Sequence, residues 1–548
     1  MTFSAAPNYG GSLYGNRRKI DFALSYDDYF EKIFNDKVSK QLFFKDGDVV
    51  YTRNDAENEI ATGLYRNISG TVGYRSNSGE LILSYLRAVS GPIKSSGLQH
   101  TEFIQQNNSI HPFETEKNGR QTNNSSSYTA VYNHRLDTLG MAVQLFYDHT
   151  NIKYRNNLKQ LLEGLVNDST NHQHIGTNSS LNTLKIDFNN RTEAKFFIEI
   201  GLKYSWTEND FHNYSSSYND YRFSVDESIM GSYFTIKREW ENINTTLGIR
   251  GENTWLEGNF SNDMNQETQS VNRSYFRLFP NIVVEYLRDN HSIAFVADTK
   301  IQRPNYGQYN PLEIINDPYS VSRGNPFLSS ASVYNYSMKY TFYKRYSFST
   351  FFTNIKDQVG DIVVENDHGI SVTEPINLDY SNYYGVNVGA SFKPTRWWNI
   401  SFWAQISNMD KKGTLPGRVV RTTAKKCYYA STSHKFLLPN DYLVDLNAFI
   451  SGNGSWGGIY NQDNGWGEVN VSAKKEFFNK KLTVEVFAND VFDTNSKLSA
   501  HYQDSFYSSK FTNRYGGRCL GFGISFNFNK GIQKIDVDTD TDEKYRSN

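Results

Sequence analysis

Every second residue between positions 196 and 206 is apolar, and the same alternation returns until the chain nears its end. Phe196, Ile198, Ile200, Leu202, Tyr204 and Trp206 fall on one side, with Glu199, Gly201, Lys203 and Ser205 between them. A period of two with one apolar face predicts β-strands wetted on the other face only. The stripe recurs as Ile20, Phe22, Leu24 and Tyr26, as Leu81, Leu83 and Tyr85, and as Met141, Val143, Leu145 and Tyr147. Later copies are Leu482, Val484, Val486 and Ala488, then Phe522, Ile524, Phe526 and Phe528. A soluble sandwich would alternate too, so the connections between strands carry the decision.

Those connections differ at the two ends of the strands. Tight turns are expected at Asn16-Arg17-Arg18, Ser76-Asn77-Ser78-Gly79, Leu136-Asp137-Thr138 and Asn190-Arg191-Thr192. Others fall near Glu239, at Arg288-Asp289-Asn290, Lys344-Arg345, Pro394-Thr395-Arg396 and Pro439-Asn440, and at 477–481. The opposite connections, 31–58, 91–122, 153–180, 302–329 and 452–466, are long and polar, and the last four are expected outside the cell. Short turns on one side and long loops on the other fit a barrel in an outer membrane. Within 153–180, Leu158, Leu161, Leu162, Leu165 and Val166 have helical spacing and predict one short helix.

Composition narrows the choice further. The chain has 548 residues and no linker of Pro, Ser or Gly, more than a single soluble core usually holds. No stretch approaches the ~18–20 apolar residues of a membrane helix, but a barrel strand needs only ~10 alternating ones. Aromatics are 15% of the chain and gather near strand ends, as at Trp397-Trp398 and Tyr428-Tyr429, as an interfacial girdle would. A net charge of −1 implies no nucleic-acid partner. No repeat of propeller length is present. The fold class expected is all-β, a transmembrane antiparallel β-barrel with the lipid bilayer as its solvent. In the row around Ile200, Glu199 and Lys203 should face inward, and arginine should be tolerated better at Gly201 than at Ile200. Asp445 and Glu485 are also read as inward.

Three segments then resemble a known family. Ile301-Gln302-Arg303-Pro304-Asn305-Tyr306, with Asn310-Pro311-Leu312, Asp317-Pro318-Tyr319 and Gly324-Asn325-Pro326, is similar to a motif of TonB-dependent outer-membrane receptors. The branch it resembles carries a carboxypeptidase-regulatory-like domain before the plug. Asn489, Asp490 and Phe492 resemble that family's penultimate-strand signature, and Gly521 to Phe528 its closing strand, the one read by the barrel-assembly machinery. The resemblance implies uptake of an extracellular ligand energised through TonB-ExbB-ExbD, in the cell outer membrane. It also implies about 22 strands around a plug, against about 21 counted here from ten short-turn hairpins and a last strand. The expected organisation is a remnant of an N-terminal region at 1–10, a barrel at 11–528 and an acidic periplasmic tail at 529–548. Residues 1–10 match neither a plug nor a TonB box, so these residues alone are expected to lack the coupling element, and the first and last strands to run the same way. An alternative is a surface adhesion or structural barrel that transports nothing.

The prolines of 301–326, Pro304, Pro311, Pro318 and Pro326, together with its glycines, predict a rigid loop outside any strand. It either packs the barrel mouth or meets the ligand. Other constellations are weak. His172 and His174 lack the further ligands a metal needs. Asp536, Asp538, Asp540 and Asp542 begin like a calcium loop, but Thr541 and Ser547 stand where Gly and Glu are required. No catalytic set, cofactor motif or disulfide framework for Cys427 and Cys519 emerges, so the protein is not expected to be an enzyme.

Overall fold

The computed structural model describes residues 8–45, 48–105, 108–109, 112–137, 140–163, 169–191, 196–216, 218–262, 268–365, 370–456, 459–495, 497–515, 517–527 and 541–547. Twenty-one long strands run from Asn8–Arg17 to Cys519–Phe526, each pairing antiparallel with the next. They make up most of one 26-stranded, barrel-like sheet. Alternating stripes joined by tight turns lead to this order, because antiparallel neighbours need only a hairpin. The tight turns expected from the sequence fall at one end of the wall, and a further one, Pro416-Gly417, closes a hairpin at the other; residues 138 and 192 lie outside the described residues. Several non-glycine residues there adopt left-handed backbone, among them Asp289 (φ 51°), Asn440 (φ 58°) and Asp441 (φ 59°). Turns of this hand match the twist of the strands they join, which offsets the local strain.

The outer face is apolar and bare. Ile200 and Leu202 are 46% and 50% exposed, and Phe522 and Ile524 64% and 65%. On the strand Thr268–Arg288 the exposed row runs from Phe276 through Leu278, Ile282 and Val284 to Tyr286. Ten steps of about 3.3 Å, tilted by about 40°, rise about 25 Å, the height of the apolar band of an outer-membrane barrel. A soluble surface does not carry a contiguous patch of this size; lipid is the solvent that suits it. The inner face is not an open channel beside this row. A Cβ on Gly201 would stand 2.3 Å from the Tyr233 ring and 2.5 Å from Asp187 Oδ1, so a side chain at this inward position must displace both.

Two expectations for the long connections also fail. Most of 31–58, 91–122 and 153–180 is strand, not loop. Ile20–Lys45, Asp48–Arg75, Gly79–Gln105, Phe113–Arg135, Ala142–Glu163 and Ser169–Arg191 continue far beyond the apolar band. The helix over 158–166 is replaced by strand at Leu158, Leu161 and Leu162; Leu165 and Val166 lie outside the described residues. Ladders on both sides, to Phe113–Arg135 and to Ser169–Arg191, outweigh the helical spacing of these leucines. The wall is therefore tall on this side, with 28 residues in Asp48–Arg75, and low on the other, with 8 in Leu482–Asn489.

The two edges of the sheet meet at the tall end. An extra hairpin, Lys497–Gln503 and Tyr507–Tyr515, leaves the connection before the last strand. Its second arm pairs antiparallel with Asn35–Phe43. Among the described residues no ladder joins Asn8–Arg17 to Cys519–Phe526.

Candidate functional site

Two connections fold together against the inner face of the curled sheet. One follows the strand His291–Gln302 and supplies the four-residue helix Tyr306–Tyr309 and the short strands Ile314–Asp317 and Ser320–Ser322. The other supplies Val359–Glu365 and Ser371–Asn377, and the four short strands form a second sheet in which Ser320–Ser322 pairs parallel with Ser371–Thr373. The loop doubles back on itself through Gly324 N–H to the Asn310 carbonyl (2.7 Å) and Asn325 N–H to the Gln308 carbonyl (2.7 Å). Only glycine fits at 324, because a Cβ would lie 2.5 Å from both of those carbonyl oxygens.

Apolar packing seats this insert. Tyr306, Tyr309, Leu312 and Leu328 bury against Phe211, Phe223, Val225 and Leu256 of the wall. Ile362, Ile376 and Leu378 of the second connection bury with Phe43, Val420, Tyr502 and Tyr507. Buried ion pairs then fix it. Arg53 forks between Asp55 (2.8 Å) and Asp317 (2.6 Å), with side-chain exposures of 5%, 9% and 1%. Arg303 donates to Glu252 (2.6 Å) and Thr254 (3.3 Å). Gln160 and Asn213, from two further wall strands, donate to the carbonyls of Asn316 (2.9 Å) and Glu313 (2.6 Å). The Tyr306 hydroxyl donates to Glu227 (2.9 Å) and accepts from Thr207 (2.9 Å). Burial pushes this phenol well above its ordinary pKa, so it stays a neutral donor.

The segment read as a solvated acidic tail differs where it is described. Helix Asp542–Arg546 is packed among inward-facing wall residues, with Glu543 and Arg546 buried. Glu543 pairs with Lys203 (3.0 Å), Lys544 with Asp148 (3.0 Å) and Arg546 with Glu227. The Arg546 guanidinium also donates to the Pro304 carbonyl (2.9 Å) and lies over the Tyr306 ring at 4.2 Å. Charges explain the placement: the inner wall offers Glu227 and Asp148 to the cations of this helix and Lys203 to its carboxylate.

The motif residues of the sequence thus come together, but as scaffold. Arg303, Pro304, Tyr306 and Asp317 are buried or engaged in the contacts above. Asn310 Oδ1 accepts from Leu312 N–H (3.1 Å) ahead of Pro311, and Asn325 Oδ1 accepts from Phe327 N–H (2.9 Å) across Pro326. Pro318 sits in the turn between the two short strands, and Tyr319 packs on Phe113 at 5.7 Å. Asn489, Asp490 and Phe492 lie elsewhere, at the end of Leu482–Asn489. There Asp490 accepts from Thr494 N–H (2.9 Å) and Asn495 N–H (3.1 Å), Asn489 pairs with Cys519 and Phe492 is exposed. Of the residues read as inward, Glu485 pairs with Lys474 (3.1 Å), Asp445 lies 4.0 Å from Lys435, and Glu199 accepts from Tyr233 (3.4 Å). Sequence reading missed Glu227, Glu252 and Arg53. Glu227 was findable, since it interrupts the row Phe223, Val225, Ile229.

The sequence matches the outer membrane protein beta-barrel family over residues 134–528. Among solved structures, the FrpB iron transporter of Neisseria meningitidis (F5-1 variant) is similar, with a TM-score of 0.57 at 13% identity, covering 93% of this chain and 80% of that one. The ferric-catecholate import receptor Fiu of E. coli K12 gives a TM-score of 0.53 at 11% identity, covering 94% and 82%. At such identities the likeness is one of fold. No curated protein matches the sequence.

Proposed function

The chain belongs to the outer membrane protein beta-barrel family, and from that premise we propose that it is the wall and inner gate of a TonB-dependent uptake receptor. Its place is the outer membrane, with the exposed apolar band in lipid. In this reading 11–528 is the closed barrel, 1–10 the end of a region carrying plug and TonB box, and 529–548 an appended segment. The branch is the one with a carboxypeptidase-regulatory-like domain, and the inner-membrane partner is TonB-ExbB-ExbD.

The observation that supports this is the insert of 303–330 held across the inner face by buried ion pairs. A gated pore needs an obstruction that is held firmly and can be let go. A buried pair adds little net stability when intact but is costly to break one-sidedly, so a ligand or a pull that offers Arg53 or Arg303 a new partner switches the insert. Arg303, Pro304, Tyr306, Asn310, Pro311, Asp317, Pro318, Tyr319, Gly324, Asn325 and Pro326 act as the frame of that gate. The ligand meets exposed neighbours such as Phe327.

Two of the similar structures are named for iron, so ferric complexes are the first ligands to assay. Radioactive iron uptake is measured in cells with and without the gene, with and without TonB, and with a protonophore. Uptake that needs the gene and TonB and is abolished by the protonophore supports the reading. Passage of the same complex that ignores TonB and the proton-motive force overturns it.

A further inference from the structure

Outside the gate, on the outer face of the tall side, lies a cleft of about 790 Å³ with an unusual lining. It presents Lys32, Lys94, Arg120 and Lys159, together with His172 and His174, and no aspartate or glutamate. The chain as a whole holds 57 Lys and Arg against 58 Asp and Glu, so a lining with no carboxylate is a local segregation of charge. Among the described residues these four cations make no ion pair. The nearest carboxylate along the strand, Glu116, is engaged by Asn118 Nδ2 (2.8 Å).

The cations are aligned by the register. One cross-strand row runs Lys32, Thr62, Lys94, Arg120, Asn157, His174, Tyr214, each residue directly opposite the next. The adjacent row sets Asn118 against Lys159 and Lys159 against His172. Lys94 and Arg120 are therefore like charges in direct opposition, an arrangement that destabilises a sheet. A bulge creates it. Between Ser90 and Ile93 the strand Gly79–Gln105 takes one extra residue relative to its partner, which turns Lys94 outward. Gly91 makes this possible at φ 111°, where a Cβ would meet the Gln121 carbonyl at 2.6 Å. A backbone irregularity that puts two cations face to face, among the amide and hydroxyl donors Asn118, Asn157 and Thr62, suits an anion with several oxygens.

Height fixes which anions reach it. Arg120 stands eight residues beyond Tyr128, the last exposed aromatic on that face of its strand. Eight steps of about 3.3 Å at a tilt of about 40° place the cleft about 20 Å above the apolar band, where sugars of outer-leaflet lipids stand. We infer that this cleft is a phosphate-binding site on the outer wall, taking phosphate groups either from phosphorylated outer-leaflet glycolipid or from solution.

The test uses the full chain purified in detergent, and the double variant Lys94→Gln, Arg120→Gln, whose exposed positions leave the fold intact. Probes are pyrophosphate, and vesicles containing phosphorylated or enzymatically dephosphorylated lipopolysaccharide. The native protein should gain thermal stability with pyrophosphate and bind the phosphorylated vesicles. The variant should bind at least tenfold more weakly and melt higher than the native protein in phosphate-free buffer, because the like-charge opposition is gone. Vesicle binding that millimolar pyrophosphate does not displace assigns the site to the lipid; displacement assigns it to soluble phosphate. Native and variant proteins that bind both probes equally, or a native protein that binds neither, would overturn the inference.

Discussion

Replacing Arg53 by methionine should release the inner hairpin Ile314–Ser322 while leaving the wall standing. Two unit charges about 3 Å apart attract by about 5 kcal/mol at an effective dielectric constant of about 20, and desolvation cancels much of that. Removing one partner is different: a buried charge left alone costs about 3–5 kcal/mol. The two carboxylates do not share this cost equally. Asp55 keeps Thr101 (2.8 Å), Gln99 (3.0 Å) and Ser39 (3.3 Å) as donors. Asp317 keeps Tyr319 N–H (2.9 Å). Asp317 therefore escapes by leaving the wall, and about 3 kcal/mol raises the open population by roughly a hundredfold. The assay places a cysteine at Ser320, with Cys427 and Cys519 changed to serine, and follows labelling of intact cells by an impermeant maleimide. Arg53→Met should label about a hundredfold faster. Asp317→Asn, which leaves the Arg53–Asp55 pair neutral, should change the rate by about tenfold or less. The double variant should fall back toward Asp317→Asn. An Arg53→Met rate equal to the unmodified background, or a double variant as fast as Arg53→Met, would refute the reasoning.

Three further outcomes follow from the structure. Ile200→Arg should destabilise by about 2–4 kcal/mol in urea titrations in vesicles, because the side chain faces mid-band lipid; Gly201→Ala should destabilise too, since Tyr233 and Asp187 must move. Asp490→Ala should cost about 1–3 kcal/mol by orphaning the N–H groups of Thr494 and Asn495, with Asp490→Asn milder in the same titration. Acid should undock helix Asp542–Arg546. Burial is the largest influence and raises the Glu543 carboxyl, but the Lys203 ammonium, a backbone N–H and the Arg546 guanidinium together outweigh it and the net pKa lies below the ordinary 4.5. A lowered folded-state value means the contribution is full above about 4.5 and lost as pH falls through the lowered value. Hydrogen exchange at 541–547 should therefore accelerate only in acid.

Much of the wall was legible because alternation and turn chemistry are local signals. The row at 196–206 and the turns at Asp289 and Asn440 could be read from neighbouring residues alone. The tall strands were not, because polar residues such as Asn118, Asn157 and Asn178 look like loop when water wets their outer face. Only the register with adjacent strands shows them paired. The leucines at 158–162 misled for the same reason. Within the insert, Arg303, Tyr306 and Asp317 were flagged by motif, but their partners Glu252, Glu227 and Arg53 sit far away in the chain. No spacing rule links residue 53 to residue 317. The burial of helix Asp542–Arg546 was equally hidden, since its composition alone fits a solvated tail.

The ladder between Asn35–Phe43 and Tyr507–Tyr515 imposes an order on assembly. At the membrane each wall strand can zip onto its neighbour at little entropic cost, because the closing loop is short. This ladder instead joins segments at opposite ends of the polypeptide, so it waits for nearly the whole chain. The entropic toll of that wait grows only slowly, by about 0.6 kcal/mol per doubling of loop length, but the delay is real, since non-local pairings form late. Until then 35–43, paired with 51–59 on one side, leaves its other edge open to any passing β-segment. A chain ending before Tyr507 would therefore keep this edge open and be the species that aggregates or is degraded.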